Sequence, residues 1–117
     1  VGGRFFGIEI LLLTTIGYKS GRKRIVPLAA IPYYGNYLVV APFGGSPKHP
    51  AWFINITHNP NVDIRIGSTT QQGTTSIIES TNSQYKMMWS MAIKQTKSFD
   101  NYKRSTSRKI PIVLIST

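Results

Sequence analysis

Short apolar runs of strand length, each closed by a turn signal, constrain the fold of this 117-residue chain more than any other feature. Ile8–Thr15 reads IEILLLTT, and the glycine-bracketed GYKSGRKR that follows it predicts a tight hairpin connection. The chain resumes as a strand over Arg24–Ile31, where Pro27 predicts an edge or a bulge. After a Gly-Asn turn, Tyr37–Ala41 is a third strand, and the three together predict an antiparallel meander.

The middle and the end of the chain combine a short helix with further strands. A helix is predicted over Pro50–His58, because proline suits a first helical turn and Asn59-Pro60 disfavours continuation. Val62–Ile66 alternates like a strand, and TTQQGTTSIIES is a further strand in which Gly73 predicts a bulge or bend. The final IPIVLIST is predicted to close the chain as a strand.

A longer helix is predicted to start near Thr81, whose spacing from Gln84 matches a capping box. Its apolar face at helical spacing consists of Tyr85, Met88, Trp89, Ala92 and Ile93. About six short antiparallel strands with two to three helices favour a mainly β fold, a small barrel with helices packed outside. A single domain over residues 1–117 is expected, and the initial Val indicates a trimmed N-terminus.

The charge balance is the strongest compositional signal. Fourteen Lys and Arg stand against four Asp and Glu, which gives a formal net charge of +10. So basic a chain attracts anions: nucleic acid, an acidic membrane, or a small ligand with phosphates or carboxylates. Chemistry that needs paired carboxylates is hard to assemble, and the absence of cysteine excludes thiol catalysis. His49 and His58 have no carboxylate or cysteine nearby in sequence, so no metal site is expected.

The basic turn, which we define as Lys19–Arg24, is the first candidate ligand site. It reads KSGRKR, and Gly17 and Gly21 free the backbone so that N–H groups lie beside a hydroxyl and four cations. That arrangement suits a phosphate, because an arginine fork grips two oxygens. A solvated hairpin tip is an equally ordinary outcome for such a run, so these residues alone leave both interpretations open.

The segment GGSPKHPAWFIN, residues 44–55, is the second candidate site. Gly44 and Gly45 allow a flat ligand to approach the backbone closely, and Lys48 adds a cation. Trp52 and Asn55 share a face of the predicted helix, and an aromatic ring with an amide suits a planar heterocycle. The commoner fate of such residues is structural, with Trp52 in the core and Asn55 as a cap. The spacing by itself does not name a ligand.

Together the two segments resemble a known family. LLLTTIGYKSGRKRIVPL followed by VVAPFGGSPKHPAWFINITHNPNVDIRIG is similar to the deazaflavin-dependent nitroreductases, also called F420H2-dependent quinone reductases. The similarity runs from about residue 10 to residue 67 and returns weakly at NYKRSTSRKIPIVLI. The specific element is the combination of L-T-T-x-G-x-x-[ST]-G with G-G-x-P-K-x-P-x-W-x-x-N, since neither half is specific alone.

The resemblance implies a split β-barrel of the flavin-reductase or FMN-binding type that binds coenzyme F420. This deazaflavin carries a phosphate and an oligoglutamate tail, both anionic, which provides the basic turn with a ligand. The implied contacts to phosphate and tail are Lys19, Ser20, Arg22 and Arg24, with Lys48 near the same anionic groups. The implied contacts to the ring are Pro27, Leu28, Ala41, Pro42, Phe43, Gly44, Gly45, Trp52 and Asn55.

On the acceptor side, Tyr102 matches a substrate-side tyrosine of the family, and we expect it to orient the acceptor or donate a proton. Phe99 takes a neighbouring aromatic position without a hydroxyl, so Phe99 and Tyr102 are the expected substrate-binding residues and Tyr102 the expected catalytic one. Without the resemblance, these two rings could equally pin their loop to the barrel. Pro42 and Phe43 depart from the family pattern, in which a small polar residue and often a lysine or asparagine precede the glycine pair.

The leading hypothesis is an oxidoreductase that transfers a hydride from reduced coenzyme F420 to a quinone-like or nitroaromatic acceptor. Two alternatives stay open: an FMN-binding reductase of the same fold, and a non-catalytic basic domain that binds nucleic acid or an anionic membrane. Nucleic acid is not expected, because no helix carries clustered basic residues. The chain is expected to be a cytoplasmic monomer or homodimer, with peripheral contact to the inner face of the cell membrane left open.

Overall fold

The computed structural model describes residues 4–5, 8–40, 50–95 and 110–117 of the chain. These residues form eight strands and two helices, so the predicted mainly β composition is confirmed. The elements in chain order are β1 Arg4–Phe5, β2 Ile8–Ile16, β3 Lys23–Ala29, β4 Ile31–Tyr33, β5 Asn36–Val40, α1 Ala51–His58, β6 Asn61–Ile66, β7 Thr69–Ile78, α2 Tyr85–Gln95 and β8 Ile112–Ser116.

The strands form an antiparallel sheet that curls back on itself. Hydrogen-bonded neighbours follow the order β3-β2-β6-β7-β8-β5-β4, and the short β1 pairs with the start of β2. β3 and β4 lie at opposite ends of this order, yet only Ala30 separates them in the chain. The N–H of this buried residue donates to the carbonyl of Glu9 at 2.8 Å. The chain therefore passes directly from the first strand of this order to the last, which brings the two edges of the curled sheet together. The predicted small barrel is thus confirmed.

The predicted meander of the first three strands is correct for the antiparallel pair of β2 and β3, but it does not continue as one row of three strands. The run expected as one strand over Arg24–Ile31 is divided at Ala30 into β3 and β4, and β5 pairs with β4 and β8. Turn signals favour pairing between neighbours in sequence, which is the commoner arrangement. Here β5 has the last strand of the chain as its second partner, and the curvature of the sheet brings β5 and β8 together.

Two unusual residues within strands have different explanations. Pro27 lies on an edge strand, as predicted: among the described strands β3 pairs only with β2, where Pro27 opposes Leu12. Gly73 is not the predicted bulge, because it stands in regular register opposite Val62 of β6. A β-carbon at Gly73 would lie 2.9 Å from Cγ2 of Ile115, so the glycine permits the close approach of β8.

Buried side chains form two clusters on opposite faces of the sheet. The inner cluster fills the barrel and includes the buried apolar side chains of α1. Its members are Leu11, Leu13, Ala30, Val39, Trp52, Phe53, Ile56, Val62, Ile64, Val113 and Ile115. The outer cluster packs α2 against the sheet; its members are Ile31, Leu38, Val40, Ile78, Tyr85, Met88, Trp89, Ala92, Ile110 and Ile112. β5 and β8 supply residues to both clusters, which explains why YLVV and IVLI are apolar without alternation.

α2 buries the predicted face but begins later than predicted. Tyr85, Met88, Trp89 and Ala92 are each at most 5% exposed, and the side chain of Ile93 lies outside the described residues. Thr81 belongs to the turn before the helix, so the predicted start there is wrong. The turn is organised by the next residue along the chain.

Asn82 closes the turn that precedes α2. Its Oδ1 accepts from the N–H of Gln84 at 2.8 Å, and its carbonyl accepts from the N–H of Tyr85 at 3.0 Å. An asparagine side chain makes such local turns readily, which competes with the capping box suggested by spacing alone.

α1 has nearly the predicted bounds. It begins at Ala51, with Pro50 as the N-cap, and the carbonyl of Pro50 accepts from the N–H of Phe53 at 3.1 Å. It ends at His58, because Asn59 is extended with φ −144° as expected before a proline. Within the described ranges, no helix is both long and apolar enough to cross a membrane.

Candidate functional site

A cavity of about 550 Å³ lies between the basic turn and the N-terminal half of α1. This volume is in the range of small-molecule and cofactor sites. The cavity is lined by Gly17, Tyr18, Lys19, Ser20, Arg24, Val26, Pro50, Ala51, Trp52 and Asn55. Both segments that the sequence singled out therefore contribute to one space.

Hydrogen bonds within the chain hold the basic turn in shape. The N–H of Gly17 donates to the carbonyl of Arg22 at 2.8 Å, and the N–H of Gly21 donates to the carbonyl of Gly17 at 2.8 Å. Ser20 Oγ accepts from the N–H of Arg22 at 3.2 Å. Gly21 has φ +71°, a conformation that glycine adopts without penalty. The turn is thus a folded structure and not a loose hairpin tip.

Gly17 lets two functional groups approach the backbone. A β-carbon at Gly17 would lie 2.7 Å from Ser20 Oγ and 3.7 Å from Arg24 Nε. The hydroxyl and the guanidinium therefore converge on the same short stretch of backbone, on the wall of the cavity. A hydroxyl beside a guanidinium is a donor set that suits a phosphate or a carboxylate.

Tyr18 provides an aromatic surface beside these donors. Its ring lies tilted against the ring of His58, at a centroid distance of 4.8 Å and an interplanar angle of 30°. Lys19 Nζ lies 5.6 Å from the centroid of the same ring, within the range of a cation–π contact. Tyr18 is 45% exposed, so the ring supports the lysine while one side stays open to solvent.

Trp52 forms the opposite wall of the cavity. It is 7% exposed and belongs to the inner cluster, where it meets Phe53 edge to face at 6.2 Å between ring centroids. The structural and the functional interpretations of this residue are thus compatible: the indole is packed in the core and also lines the cavity.

Asn55 lines the cavity, and its amide is hydrogen-bonded within the chain. Its Nδ2 donates to Thr15 Oγ1 at 3.0 Å, and its Oδ1 accepts from the N–H of Tyr18 at 3.2 Å. Asn55 is 5% exposed and Thr15 is 1% exposed. The side chain is not a helix cap, since it connects α1 to the end of β2 and to the turn that follows.

The structure brings five of the predicted site residues together and separates others from them. Lys19, Ser20, Arg24, Trp52 and Asn55 line the cavity. The remaining predicted residues of the described part do not line the cavity: Arg22 is an exposed residue of the basic turn, Pro27 is exposed opposite Leu12, and Leu28 packs against the inner cluster. The predictions outside the described residues are Ala41, Pro42, Phe43, Gly44, Gly45, Lys48, Phe99 and Tyr102.

Sequence reasoning missed Tyr18, Val26 and Thr15. Val26 is two residues after Arg24 on β3, so strand alternation could have placed it on the same face. Tyr18 could have been noticed as the aromatic residue next to the basic turn. Thr15 and Asn55 both belong to the motif that carries the resemblance, but the motif does not show that they meet, because they are 40 residues apart in the chain.

The electrostatics of the cavity favour anions. Lys19 and Arg24 are cationic, and no Asp or Glu is among the described residues that line the cavity. The first turn of α1 also lacks an acidic residue, so the positive end of its dipole is not neutralised there. Over the described parts of the chain, no cluster of His, Asp or Glu could hold a metal ion. The site suits a ligand with an anionic part and a planar part.

A second cavity of about 510 Å³ is lined by β2, β6, β7 and the end of β8. Its described walls carry mainly amides and hydroxyls, with Lys23 and Asp63 as the charged groups and no aromatic ring. Opposite charges cancel there, and the planar wall is missing. We therefore assign the ligand site to the cavity beside α1.

A small antiparallel barrel whose basic turn and indole line one cavity is a domain suited to a planar ligand with an anionic part. Comparison with known families makes the class specific. The family described as F420H(2)-dependent quinone reductase matches residues 1–117, and the chain belongs to it. The protein is accordingly an F420H2-dependent reductase, with coenzyme F420 as its cofactor.

Individual relatives agree with this membership. An F420H(2)-dependent quinone reductase of Mycobacterium tuberculosis is 32% identical over 107 residues, which cover 91% of this chain and 72% of the relative. The solved structure of an F420-H2 dependent reductase has a TM-score of 0.82 at 35% identity, covering 92% of this chain and 93% of its own. Another, described as a domain-swapped dimer, has a TM-score of 0.83 at 35% identity, covering 92% and 79%. The fold is thus the expected split β-barrel.

The described residues fit the anionic part of this cofactor. Ser20 Oγ and Arg24 Nε both lie close to Gly17, and Lys19 lines the same cavity. Trp52 offers a planar wall for the ring at the other side of the same cavity.

Proposed function

We propose that this protein transfers a hydride from reduced coenzyme F420 to a quinone-like or nitroaromatic acceptor, with the cavity beside α1 as the cofactor site. The observation that carries the proposal is the convergence of Ser20 Oγ and Arg24 Nε beside Gly17, across the cavity from Trp52. A phosphate at the turn and a ring against the indole would occupy the two ends of one space.

The residues of the chain divide into three roles in this proposal. Lys19, Ser20 and Arg24 bind the phosphate by charge-assisted hydrogen bonds, and the exposed Arg22 contacts the anionic tail farther out. Trp52 limits the position of the ring. When bound, the reduced deazaflavin supplies the hydride, so the protein needs to orient and shield the reactants more than to provide a strong acid or base.

The acceptor side of the proposal rests on the resemblance. Phe99 and Tyr102 would contact the acceptor, and the Tyr102 hydroxyl would orient it or donate a proton. Ala41–Gly45 and Lys48 would complete the ring and phosphate contacts from the segment that precedes α1. Pro27 and Leu28 are assigned to the ring by resemblance alone, since neither lines the cavity in the described part of the chain.

A titration of the purified protein with F420 tests the cofactor site. Arg24→Ala should weaken F420 affinity by about tenfold or more, because a charge-assisted hydrogen bond to an anion is lost. Arg65→Ala is the matched control: Arg65 is also exposed on a strand, but its Nε–H donates to the carbonyl of Gly67 away from the cavity. Equal affinity for the two variants would contradict the assignment.

FMN serves as the competing ligand in the same titration. It has a phosphate and a tricyclic ring but no oligoglutamate tail, so the proposal expects tighter binding of F420. Preferential binding of FMN would favour the alternative reductase of the same fold. Once F420 binding is established, anaerobic assays with a quinone and with a nitroaromatic compound separate the two acceptor classes.

We also propose contact with an anionic membrane surface, where a quinone acceptor would be dissolved. Leu12 is 39% exposed and Ile25 is 66% exposed. Leu12 is paired with Arg65, and the exposed Lys23 lies on the same strand as Ile25, so the apolar side chains have cations nearby. Co-sedimentation should be stronger with anionic than with neutral vesicles and weaker for Ile25→Ser. A cytoplasmic location stays a prediction.

Homodimer formation is the assembly we propose, because a solved structure of 35% identity is described as a domain-swapped dimer. Light scattering on the eluted protein should give about twice the monomer mass of 13.1 kDa. A monomer mass at micromolar concentration would contradict this assembly and leave the cofactor site unaffected.

A further inference from the structure

One buried side-chain pair links the two walls of the cavity. Asn55 on α1 donates through Nδ2 to Thr15 Oγ1 on β2 at 3.0 Å, and its Oδ1 accepts from the N–H of Tyr18 at 3.2 Å. We call these three groups the Thr15–Asn55–Tyr18 clamp. Both side chains are almost fully buried, where hydrogen bonds are stronger and unsatisfied groups more costly than at the surface.

The clamp acts on the residue from which the basic turn departs. Tyr18 follows Gly17, whose N–H and carbonyl are bonded to Arg22 and Gly21, and it precedes Lys19. The amide of one helix residue therefore connects this turn directly to α1. The cationic groups of the turn and Trp52 of α1 line the same cavity, so the separation of turn and helix affects the space between them.

Thr15 is the informative member of the clamp. It lies at the end of β2, is 1% exposed, and is not among the residues that line the cavity. Thr15 cannot touch a ligand there, whereas Asn55 and Tyr18 can. The hydrogen bond to the Asn55 amide connects Thr15 to residues that do line the cavity.

We propose that Thr15 is a positioning residue for the anionic cofactor: its hydroxyl orients the Asn55 amide, which holds the basic turn at the binding distance from α1. This inference rests on the proposed cofactor site. It differs from that site in naming a residue that the cofactor does not reach, and in assigning Asn55 a role through its hydrogen bonds to the chain.

A purely structural role for the pair predicts a different result. Loss of a buried hydrogen bond would lower the free energy of unfolding but leave the affinity of the folded molecules unchanged. A positioning role predicts that affinity also falls, because the turn samples other distances from α1 in the folded state. Ligand affinity and global stability must therefore be measured on the same variants.

The experiment compares Thr15→Val with Thr15→Ser and Thr75→Val. Valine keeps the shape of threonine but removes the acceptor for Asn55 Nδ2, whereas serine keeps the hydroxyl. Thr75 is a matched control: it is 8% exposed, and its hydroxyl donates to the carbonyl of Pro60 at 3.0 Å, away from the cavity. All three variants are titrated with F420 under conditions in which the wild type is fully folded.

We expect Thr15→Val to weaken F420 binding about tenfold, with Thr15→Ser and Thr75→Val within about twofold of the wild type. Amide hydrogen exchange of Tyr18 in the free protein should accelerate in Thr15→Val and not in Thr75→Val, apart from any change common to the whole chain. Unchanged F420 affinity in a folded Thr15→Val would overturn the positioning role while the proposed function stands.

Two further readouts keep the outcomes separate. If the wild type binds no F420, the proposed function fails, and the clamp is then tested with inorganic pyrophosphate. Loss of pyrophosphate binding in Thr15→Val supports the clamp. Failure of the wild type and of every variant to bind pyrophosphate overturns it. If Thr15→Val does not fold, the inference is tested on the wild type alone, by hydrogen exchange with and without F420. F420 should then slow Tyr18 amide exchange more than Thr75 amide exchange, and equal slowing would overturn the inference.

Discussion

At the scale of single residues, Gly17 illustrates how one missing side chain shapes a site. A β-carbon there would lie 2.7 Å from Ser20 Oγ and 3.3 Å from the carbonyl oxygen of Arg22. The first atom could move by side-chain rotation, but the second is backbone and is already bonded to the Gly17 N–H. Gly17 is thus required by contact distances and not by an unusual φ.

Gly17→Ala should therefore distort the basic turn and weaken F420 binding, with a loss of stability of about 1–3 kcal/mol from overpacking. Gly21→Ala is the comparison, because Gly21 has φ +71° and open space around its β-carbon position. Its cost is only that of the left-handed backbone, about 1–2 kcal/mol. Gly17→Ala should bind F420 more weakly than Gly21→Ala, although the two variants should have similar midpoints in urea unfolding. Weaker F420 binding by Gly21→Ala than by Gly17→Ala would contradict this account.

Tyr85 is a second residue whose environment has a measurable consequence. Burial raises the pKa of its phenol to about 12, and the carboxylate of Glu79 adds to the shift. Its hydroxyl donates to the carbonyl of Ile110, and its ring stacks with Trp89. Because the folded state holds this proton more tightly, the associated stability is fully present below pH 10 and is lost as pH rises toward 12.

A shift of this size corresponds to roughly 2–3 kcal/mol. Tyr85→Phe lacks the titrating group, so its deficit in unfolding free energy relative to wild type should shrink between pH 10 and pH 12. Urea unfolding at several pH values measures that difference, and Tyr34→Phe is the control because Tyr34 is 83% exposed. A deficit that stays constant over this range would argue against the raised pKa.

At the scale of elements, the start of α2 shows how two local signals compete. The spacing of Thr81 and Gln84 predicts a capping box, yet the helix begins at Tyr85 after a turn organised by Asn82. Asn82→Ala should cost about 0.5–2 kcal/mol of stability, the usual range for such a side chain, while Thr81→Ala should stay within about 0.5 kcal/mol. Thermal unfolding of both variants distinguishes them. A larger cost for Thr81→Ala would restore the capping box.

The elements that were predicted well are those with signals inside their own sequence. α1 is bounded by Pro50 and by Asn59-Pro60, and both act through the φ/ψ preferences of adjacent residues. The buried face of α2 follows from helical periodicity. The division of Arg24–Ile31 at Ala30 was missed, because the bend there is stabilised by a hydrogen bond to Glu9 on another strand.

At the scale of the whole molecule, the charge of +10 should control cofactor binding. Raising ionic strength shortens the screening length from roughly 10 Å at 0.1 M to 3 Å at 1 M. F420 affinity should therefore fall with salt, and the fall should be smaller in Arg24→Ala. A deazaflavin without phosphate and tail is the control, since it should bind weakly and with little salt dependence. Equal salt dependence for both ligands would show that the cations do not act on the anionic groups.

The sequence by itself determined the class of the fold, the bounds of α1, the cationic character of the ligand site and most of its contiguous residues. These properties depend on neighbours in the chain, as with Lys19, Ser20 and Arg24, or on composition. Only the tertiary structure decided that β5 pairs with β8, that Val26 and Trp52 line one cavity, and that Thr15 meets Asn55. Such contacts depend on how the sheet curls and closes, and no local backbone preference encodes that geometry.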